Sequence, residues 1–135
     1  MRRFRSWRRR RIKIISQNLR IPSNHICLLS ELSVISGKTS ESLAKELSKQ
    51  IKANFVKSEI KIFPDGESKI TLVGKISKKK SIVVQSIYPP VDTNLVQALS
   101  LITKAKENSS EVIAVIPYMG YARQDREFLP GEIVT

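Results

Sequence analysis

The apolar positions of this chain follow two periods, one typical of strands and one typical of helices. Alternation of apolar and polar residues, or a short continuous apolar run, predicts strands at 32–35, 59–63, 68–73, 81–85 and 111–116. The last two runs are continuously apolar, which is typical of strands buried on both faces of a parallel sheet. We therefore expect these two strands to lie inside the sheet.

Two segments between the strands have apolar residues at helical spacing. The small polar residues at 36–40 are suited to cap the first helix, and Asp92 or Thr93 is predicted to cap the second. Each helix should turn one apolar stripe toward the sheet. The stripes are Leu43, Ala44, Leu47 and Ile51 in the first helix, and Leu95, Ala98, Leu99, Ile102 and Ala105 in the second.

Strands that alternate with amphipathic helices in units of about 30 residues indicate an open α/β sheet, mostly parallel, with flanking helices. A length of 135 residues is that of one ordinary domain. In such sheets ligands bind beyond the carboxyl ends of the strands. This rule selects two loops, the turn that follows Phe63 and the segment 117–126.

The net charge of +12 is concentrated at the start of the chain. Residues 1–24 hold nine Lys and Arg and no acidic residue, so the remainder has 15 basic against 12 acidic side chains. We interpret 1–24 as a disordered leader, which includes the case of a start codon assigned too far upstream. The alternatives are an organellar targeting peptide and an arm for nucleic acid or anionic lipid.

Other features exclude several classes of protein. The single cysteine, Cys27, has no partner for an internal disulfide, and neither it nor the single histidine, His25, has further residues at zinc-ligand spacing. No apolar run approaches the roughly 18 residues of a membrane-spanning helix. We expect a cytoplasmic protein without a membrane segment and without metal ligands of its own.

The segment 117–126 carries the densest group of polar and aromatic side chains. Arg123 and Arg126 offer planar guanidinium groups suited to phosphate oxygens, and Gln124 can donate to or accept from a nucleobase edge. Gly120 allows a close approach of the backbone. The alternative interpretation is a surface loop with aromatic packing and Arg–Asp pairing.

The turn 63–67, with the sequence Phe-Pro-Asp-Gly-Glu, has an ordinary interpretation too, since Asp-Gly is a common hairpin signal. A functional interpretation is favoured because both loops occur in this order, with Gln85-Ser86 and the segment 92–95 between them. Together with Pro-Tyr-Met-Gly-Tyr-Ala-Arg-Gln-Asp at 117–125, they make residues 32–135 resemble the N-terminal domain of the ribose-phosphate pyrophosphokinase family. The following Phe-Leu-Pro-Gly-Glu at 128–132 is similar to the archaeal branch of this family.

The resemblance implies a phosphoribosyltransferase-like fold and the transfer of the diphosphoryl group of ATP to ribose 5-phosphate, with Mg²⁺ accompanying ATP. It also implies that Arg123 and Gln124 bind ATP. The turn is implied to reach the adenine from a neighbouring subunit of a homo-oligomer. There Phe63 would stack on the base, while Asp65, Gly66 and Glu67 would form the polar end of the contact.

The resemblance also indicates what is missing from these residues. The family's metal-binding histidine, catalytic lysine and Asp-Asp ribose-phosphate loop have no counterpart here, so no catalytic residue is predicted. We expect residues 25–135 to be the N-terminal domain of a truncated enzyme, inactive by itself.

Two other functions remain open. One is a non-catalytic partner that binds nucleotide or assembles with the full-length enzyme. The other is a nucleic-acid-binding protein that acts through residues 1–24, for which salt-sensitive binding should disappear when the leader is deleted. The nearly neutral remainder of the chain makes nucleic acid the less favoured partner.

Overall fold

A computed structural model of the chain describes residues 31–134. The predicted leader, residues 1–24, and the predicted start of the domain at residue 25 lie outside the described residues. None of the helices in this range is long and apolar enough to cross a membrane.

The described residues form five strands and two α-helices, with three consecutive strands between the helices. A short 3-10 turn at Lys38–Ser40 precedes the first helix. The elements are β1 (Leu32–Ser36), α1 (Glu41–Gln50), β2 (Asn54–Ile62), β3 (Ser68–Val73), β4 (Lys80–Val84), α2 (Val91–Asn108) and β5 (Glu111–Val115).

The five strands form one sheet with the order β3-β2-β1-β4-β5. β1 pairs in parallel with both β2 and β4, and β4 pairs in parallel with β5. β2 and β3 pair antiparallel through the turn that contains Asp65-Gly66. The predicted open α/β sheet, mostly parallel and flanked by helices, is confirmed.

The helices lie on opposite faces of the sheet, because successive side chains of a strand point to opposite sides. Val34 packs with Ala44 of α1, whereas its neighbour Ile35 packs with Leu101 and Ala105 of α2. These five side chains are buried. The central strand β1 is therefore covered on both faces, and the core has two halves.

The prediction that the last strand is buried was wrong. β5 is an edge strand, and Glu111, Ile113 and Ala114 are exposed. Ile113 lies beside Ile82 on the face that α1 covers, but α1 packs mainly over β1 and β2, two and three strands away. An apolar run alone did not distinguish a central strand from an edge strand.

Parts of the helix predictions were also wrong. Leu99 is 57% exposed, and Leu101, which was not assigned to the stripe, is buried instead. Neither helix has a side-chain cap: Ser40, at the N-cap of α1, accepts a hydrogen bond from Ser86 N (2.9 Å), and the N-cap of α2 is Pro90. The Ser40 hydroxyl is thus used for a contact between two loops and not for a helix cap.

Candidate nucleotide site

Both loops selected from the sequence lie at the carboxyl edge of the parallel strands. The turn 63–67 follows the end of β2, and the segment that begins at Ile116 follows the end of β5. Within one chain, however, β1 and β4 stand between β2 and β5. Three strand spacings of roughly 4.8 Å separate these two strands by about 14 Å.

The turn 63–67 is held by hydrogen bonds among its own residues. Phe63 N donates to Glu67 O (2.8 Å) and Gly66 N donates to Phe63 O (2.9 Å). Asp65 Oδ1 accepts from Glu67 N (3.1 Å), and Gly66 has the positive φ of 91° that the reversal requires. The Asp65 carboxylate thus shapes the turn and still has a second oxygen.

All five residues of the turn are exposed. The ammonium of Lys61, a residue of β2, lies over the Phe63 ring at 5.7 Å from its centre, which is a cation–π contact. A turn that is rigid by itself and exposed on its own domain is suited to contact a molecule or chain outside it.

The loop after β5 is instead fixed against the segment that leads into α2. Ile87 N donates to Tyr118 O (2.8 Å), and the rings of Tyr88 and Tyr118 meet edge to face with centroids 6.0 Å apart. Gly120 is buried here, and a Cβ atom on it would lie 2.6 Å from Val91 Cγ1. The close backbone approach predicted at Gly120 is therefore made to the protein's own side chains.

The backbone changes direction at Tyr121, directly after the contact of Gly120 with Val91. Tyr121 adopts a positive φ of 57°, which is uncommon for a residue with a side chain, and its hydroxyl donates to Asp92 Oδ1 in the first turn of α2. This hydrogen bond, more than burial or the Asp92 charge, raises the pKa of the Tyr121 phenol above its usual value of 10.0. Tyr121 is therefore neutral and able to donate at neutral pH.

Beyond Tyr121 the two predicted ATP ligands have different surroundings. Arg123 is exposed and takes part in none of the ion pairs found within residues 31–134. Gln124 is half-buried, and its Nε2 donates to Glu132 Oε2 (3.2 Å). The guanidinium of Arg126 lies 5.3 Å from the centre of the Phe128 ring. Of the two arginines, Arg123 is the one without such a contact.

The start of α2 lies between the two loops. A groove of about 450 Å³ separates the turn 63–67 from α2 and is lined by Gly66, Glu67 and Asp92, among others. Asp92 thus borders this groove while it holds Tyr121 on the other side. Among the described residues no hydrogen bond or ion pair joins the two loops directly.

Asp92 and Glu132 are site residues that sequence reasoning did not identify. The sequence predicts for Asp92 only a place in the segment 92–95 and a helix cap, and it predicts no contact for Glu132. Their partners lie 29 and 8 residues away, at spacings for which no local pattern exists. Residues 31–134 contain no group of three or more His, Cys, Asp or Glu placed to hold a metal ion.

Comparison with known proteins shows what this arrangement is similar to. The family model described as the N-terminal domain of ribose phosphate pyrophosphokinase matches residues 32–135. Ribose-phosphate pyrophosphokinase from Sulfurisphaera tokodaii is 39% identical over 103 residues, which is 76% of this chain and 35% of the relative. The enzyme of that name from Methanopyrus kandleri is 42% identical over 94 residues, 69% of this chain and 32% of the relative.

A solved structure, phosphoribosylpyrophosphate synthetase from Mycobacterium smegmatis, has the same fold with a TM-score of 0.68 at 24% identity, over 77% of this chain and 35% of that chain. This chain therefore spans about a third of the length of the relatives it matches. Because the family model covers residues 32–135, this chain belongs to the family of N-terminal domains of ribose-phosphate pyrophosphokinases.

Proposed function

We propose that this chain provides the nucleotide-binding loops of a ribose-phosphate diphosphokinase. In the reaction the anomeric hydroxyl oxygen of ribose 5-phosphate bonds to the β-phosphorus of ATP. The bond between that phosphorus and the oxygen bridging to the α-phosphate breaks, the hydroxyl proton is lost, and AMP leaves. The products are phosphoribosyl pyrophosphate and AMP. The observation that carries the proposal is the family match over residues 32–135, which include both loops.

Arg123 is the residue we assign to the phosphates of ATP. Its guanidinium is exposed at the carboxyl edge of the sheet, and it takes part in none of the ion pairs found among the described residues. A planar guanidinium can bind phosphate oxygens with two parallel hydrogen bonds. Gln124 follows directly and is assigned to the same nucleotide.

We assign the turn 63–67 to the adenine of an ATP molecule bound at a neighbouring subunit. The residues that would contact the adenine are Phe63, Asp65, Gly66 and Glu67. Two features support this assignment: the turn is exposed on its own domain, and two strands stand between it and the Arg123 loop of the same chain. A homo-oligomer would bring the turn of one subunit to the loop of another, so that each site is complete only in the assembly.

Mg²⁺ is assigned to the nucleotide and not to this domain. The described residues include no group of three or more His, Cys, Asp or Glu placed to hold a metal ion, and we assign no residue among them to Mg²⁺. We place the protein in the cytoplasm, where its substrates are available, and we take residues 1–24 to be a leader outside the site.

Binding of ATP with Mg²⁺ to the whole chain tests this proposal. Replacing Arg123 by Ala should weaken ATP binding about tenfold or more, since a charge-assisted hydrogen bond contributes about 1.5–3 kcal/mol. Arg126→Ala is the matched control, because it removes the same charge from the same loop. It therefore leaves any nonspecific attraction of ATP to the basic leader equal in the two variants.

Equal affinity of the Arg123→Ala and Arg126→Ala variants for ATP would contradict the proposal. Binding that depends on Arg123, combined with no formation of phosphoribosyl pyrophosphate by the chain alone, is the outcome expected of a nucleotide-binding part of the enzyme.

A further inference from the structure

One carboxylate oxygen organises the segment that follows Arg123. Glu132 Oε2 accepts hydrogen bonds from Phe128 N (2.9 Å), Leu129 N (3.2 Å) and Gln124 Nε2 (3.2 Å). Two of these donors are backbone groups, so the carboxylate closes a small loop over residues 124–132. Gln124 is the only side chain among the three donors.

The bond to Glu132 decides which end of the Gln124 amide is available to a ligand. An ionised carboxylate accepts hydrogen bonds and donates none, so the amide must turn its NH₂ group toward Glu132. The carbonyl oxygen Oε1 is then the end that remains for a bound molecule. A free glutamine amide can present either end, whereas this one is held with its carbonyl oxygen turned away from Glu132, and its NH₂ group keeps one N–H besides the one donated to Glu132.

We propose that Glu132 is a positioning residue that makes Gln124 a hydrogen-bond acceptor for a donor group on the nucleoside part of the nucleotide. This inference rests on the proposed function, in which Gln124 contacts ATP. Two kinds of donor exist on adenosine, the ribose hydroxyls and the 6-amino group of the base. Phosphate oxygens are acceptors and do not suit Gln124 Oε1.

The chemistry of the neighbouring residue is complementary to this assignment. The side chain of Arg123 has donors only, so it suits the phosphates, while Gln124 presents an acceptor to the nucleoside. Two consecutive residues thus distinguish the two halves of the ligand. Without Glu132 the Gln124 amide can rotate, and the distinction at this position is lost.

Binding of ATP is to be compared with binding of three analogues that each lack one donor: inosine triphosphate, 2′-deoxy-ATP and 3′-deoxy-ATP. For the unaltered chain we expect one analogue to bind about three- to tenfold more weakly than ATP, the range for one neutral hydrogen bond. The analogue that is affected identifies the donor.

Two substitutions at Glu132 separate positioning from simple structural support. Glu132→Met removes all three hydrogen bonds and should reduce the preference for ATP to within about twofold. Glu132→Gln retains a carbonyl oxygen able to accept all three and should keep the preference. Glu127→Met is the control, because it removes the same charge from the same segment, where Glu127 accepts from Gly131 N.

Gln124→Met tests the inference without relying on the fold of the Glu132→Met variant, because it leaves the two backbone hydrogen bonds of Glu132 in place. It should abolish the preference as well. The inference would be wrong if either variant kept the preference of the unaltered chain, or if the unaltered chain bound all four nucleotides equally. A chain that binds no ATP at all would contradict the proposed function, and the inference with it.

Discussion

The two loops at the carboxyl edge of the sheet are built in opposite ways. The turn 63–67 holds its shape through hydrogen bonds among its own residues, and all of its residues are exposed. The loop after β5 is fixed from outside, by Ile87 and Val91 against Gly120 and by Asp92 to Tyr121.

This difference has a functional meaning. A loop anchored to its own domain holds its side chains in a constant relation to the sheet, as a phosphate-binding arginine requires. The turn 63–67 keeps its shape through hydrogen bonds among its own residues, so it can contact another subunit without support from the rest of its domain. The contrast therefore favours a site assembled from the anchored loop of one subunit and the free-standing turn of another.

The largest effect should come from a substitution that separates the anchored loop from α2. Gly120→Ala would place Cβ 2.6 Å from Val91 Cγ1 and 3.0 Å from Ile87 Cγ2. Overpacking of this kind should lower the free energy of unfolding by about 1–3 kcal/mol. Urea denaturation followed by circular dichroism measures it.

The matched substitution in the turn is Gly66→Asn. Nothing lies within 4 Å of a Cβ atom at Gly66, and asparagine tolerates a positive φ better than other residues with side chains. The loss should stay below about 1 kcal/mol. A larger loss for Gly66→Asn than for Gly120→Ala would reverse the contrast between the two loops.

A smaller, local effect is expected from the hydroxyl of Tyr121. Tyr121→Phe removes the hydrogen bond to Asp92, so the loop should open more often and trypsin should cleave after Arg123 and Arg126 several times faster. Cleavage after Lys61 and Lys69, on the two sides of the turn, should not change.

Asp65→Ala provides the reciprocal experiment. It removes the hydrogen bond from Glu67 N and should accelerate cleavage near the turn alone. The absence of direct hydrogen bonds between the two loops, among the described residues, indicates that they are independent. Faster cleavage at both loops after either substitution would contradict this independence.

The smallest effect concerns pH. The Tyr121 phenol has a pKa raised above 10.0, because its neutral form donates to Asp92. The hydrogen bond is therefore present below the ordinary pKa and is lost as the pH rises through the raised one. In a spectrophotometric titration the ionisation step that lies above the ordinary tyrosine pKa should disappear in Tyr121→Phe. The same substitution at Tyr118 should leave that step in place.

The sequence was sufficient to predict the order of the elements, because central strands such as β4 are apolar runs and α1 and α2 have helical spacing. It predicted only the second half of β2, since Ser58 occupies a buried position and hides the alternation that includes Val56. It placed β5 in the interior, because the number of neighbours of a strand depends on the sheet order and not on local composition.

The candidate site was predictable to a similar extent. The motifs select Arg123 and the turn as candidate site residues, because their chemistry lies in consecutive residues. Asp92 and Glu132, which accept from Tyr121 and Gln124 on either side of Arg123, could not be recognised, because a carboxylate that accepts from a distant tyrosine or glutamine looks in sequence like any surface acid. Long-range hydrogen bonds become visible only with the fold.

The most direct test mixes two defective chains, Phe63→Ala and Arg123→Ala, each of which should bind ATP poorly alone. If the turn completes the site of a neighbouring subunit, exchange between the two variants creates some sites with both residues intact. For randomly mixed symmetric dimers about a quarter of all sites should recover ATP binding. No recovery, despite confirmed exchange of subunits, would contradict a site shared between chains.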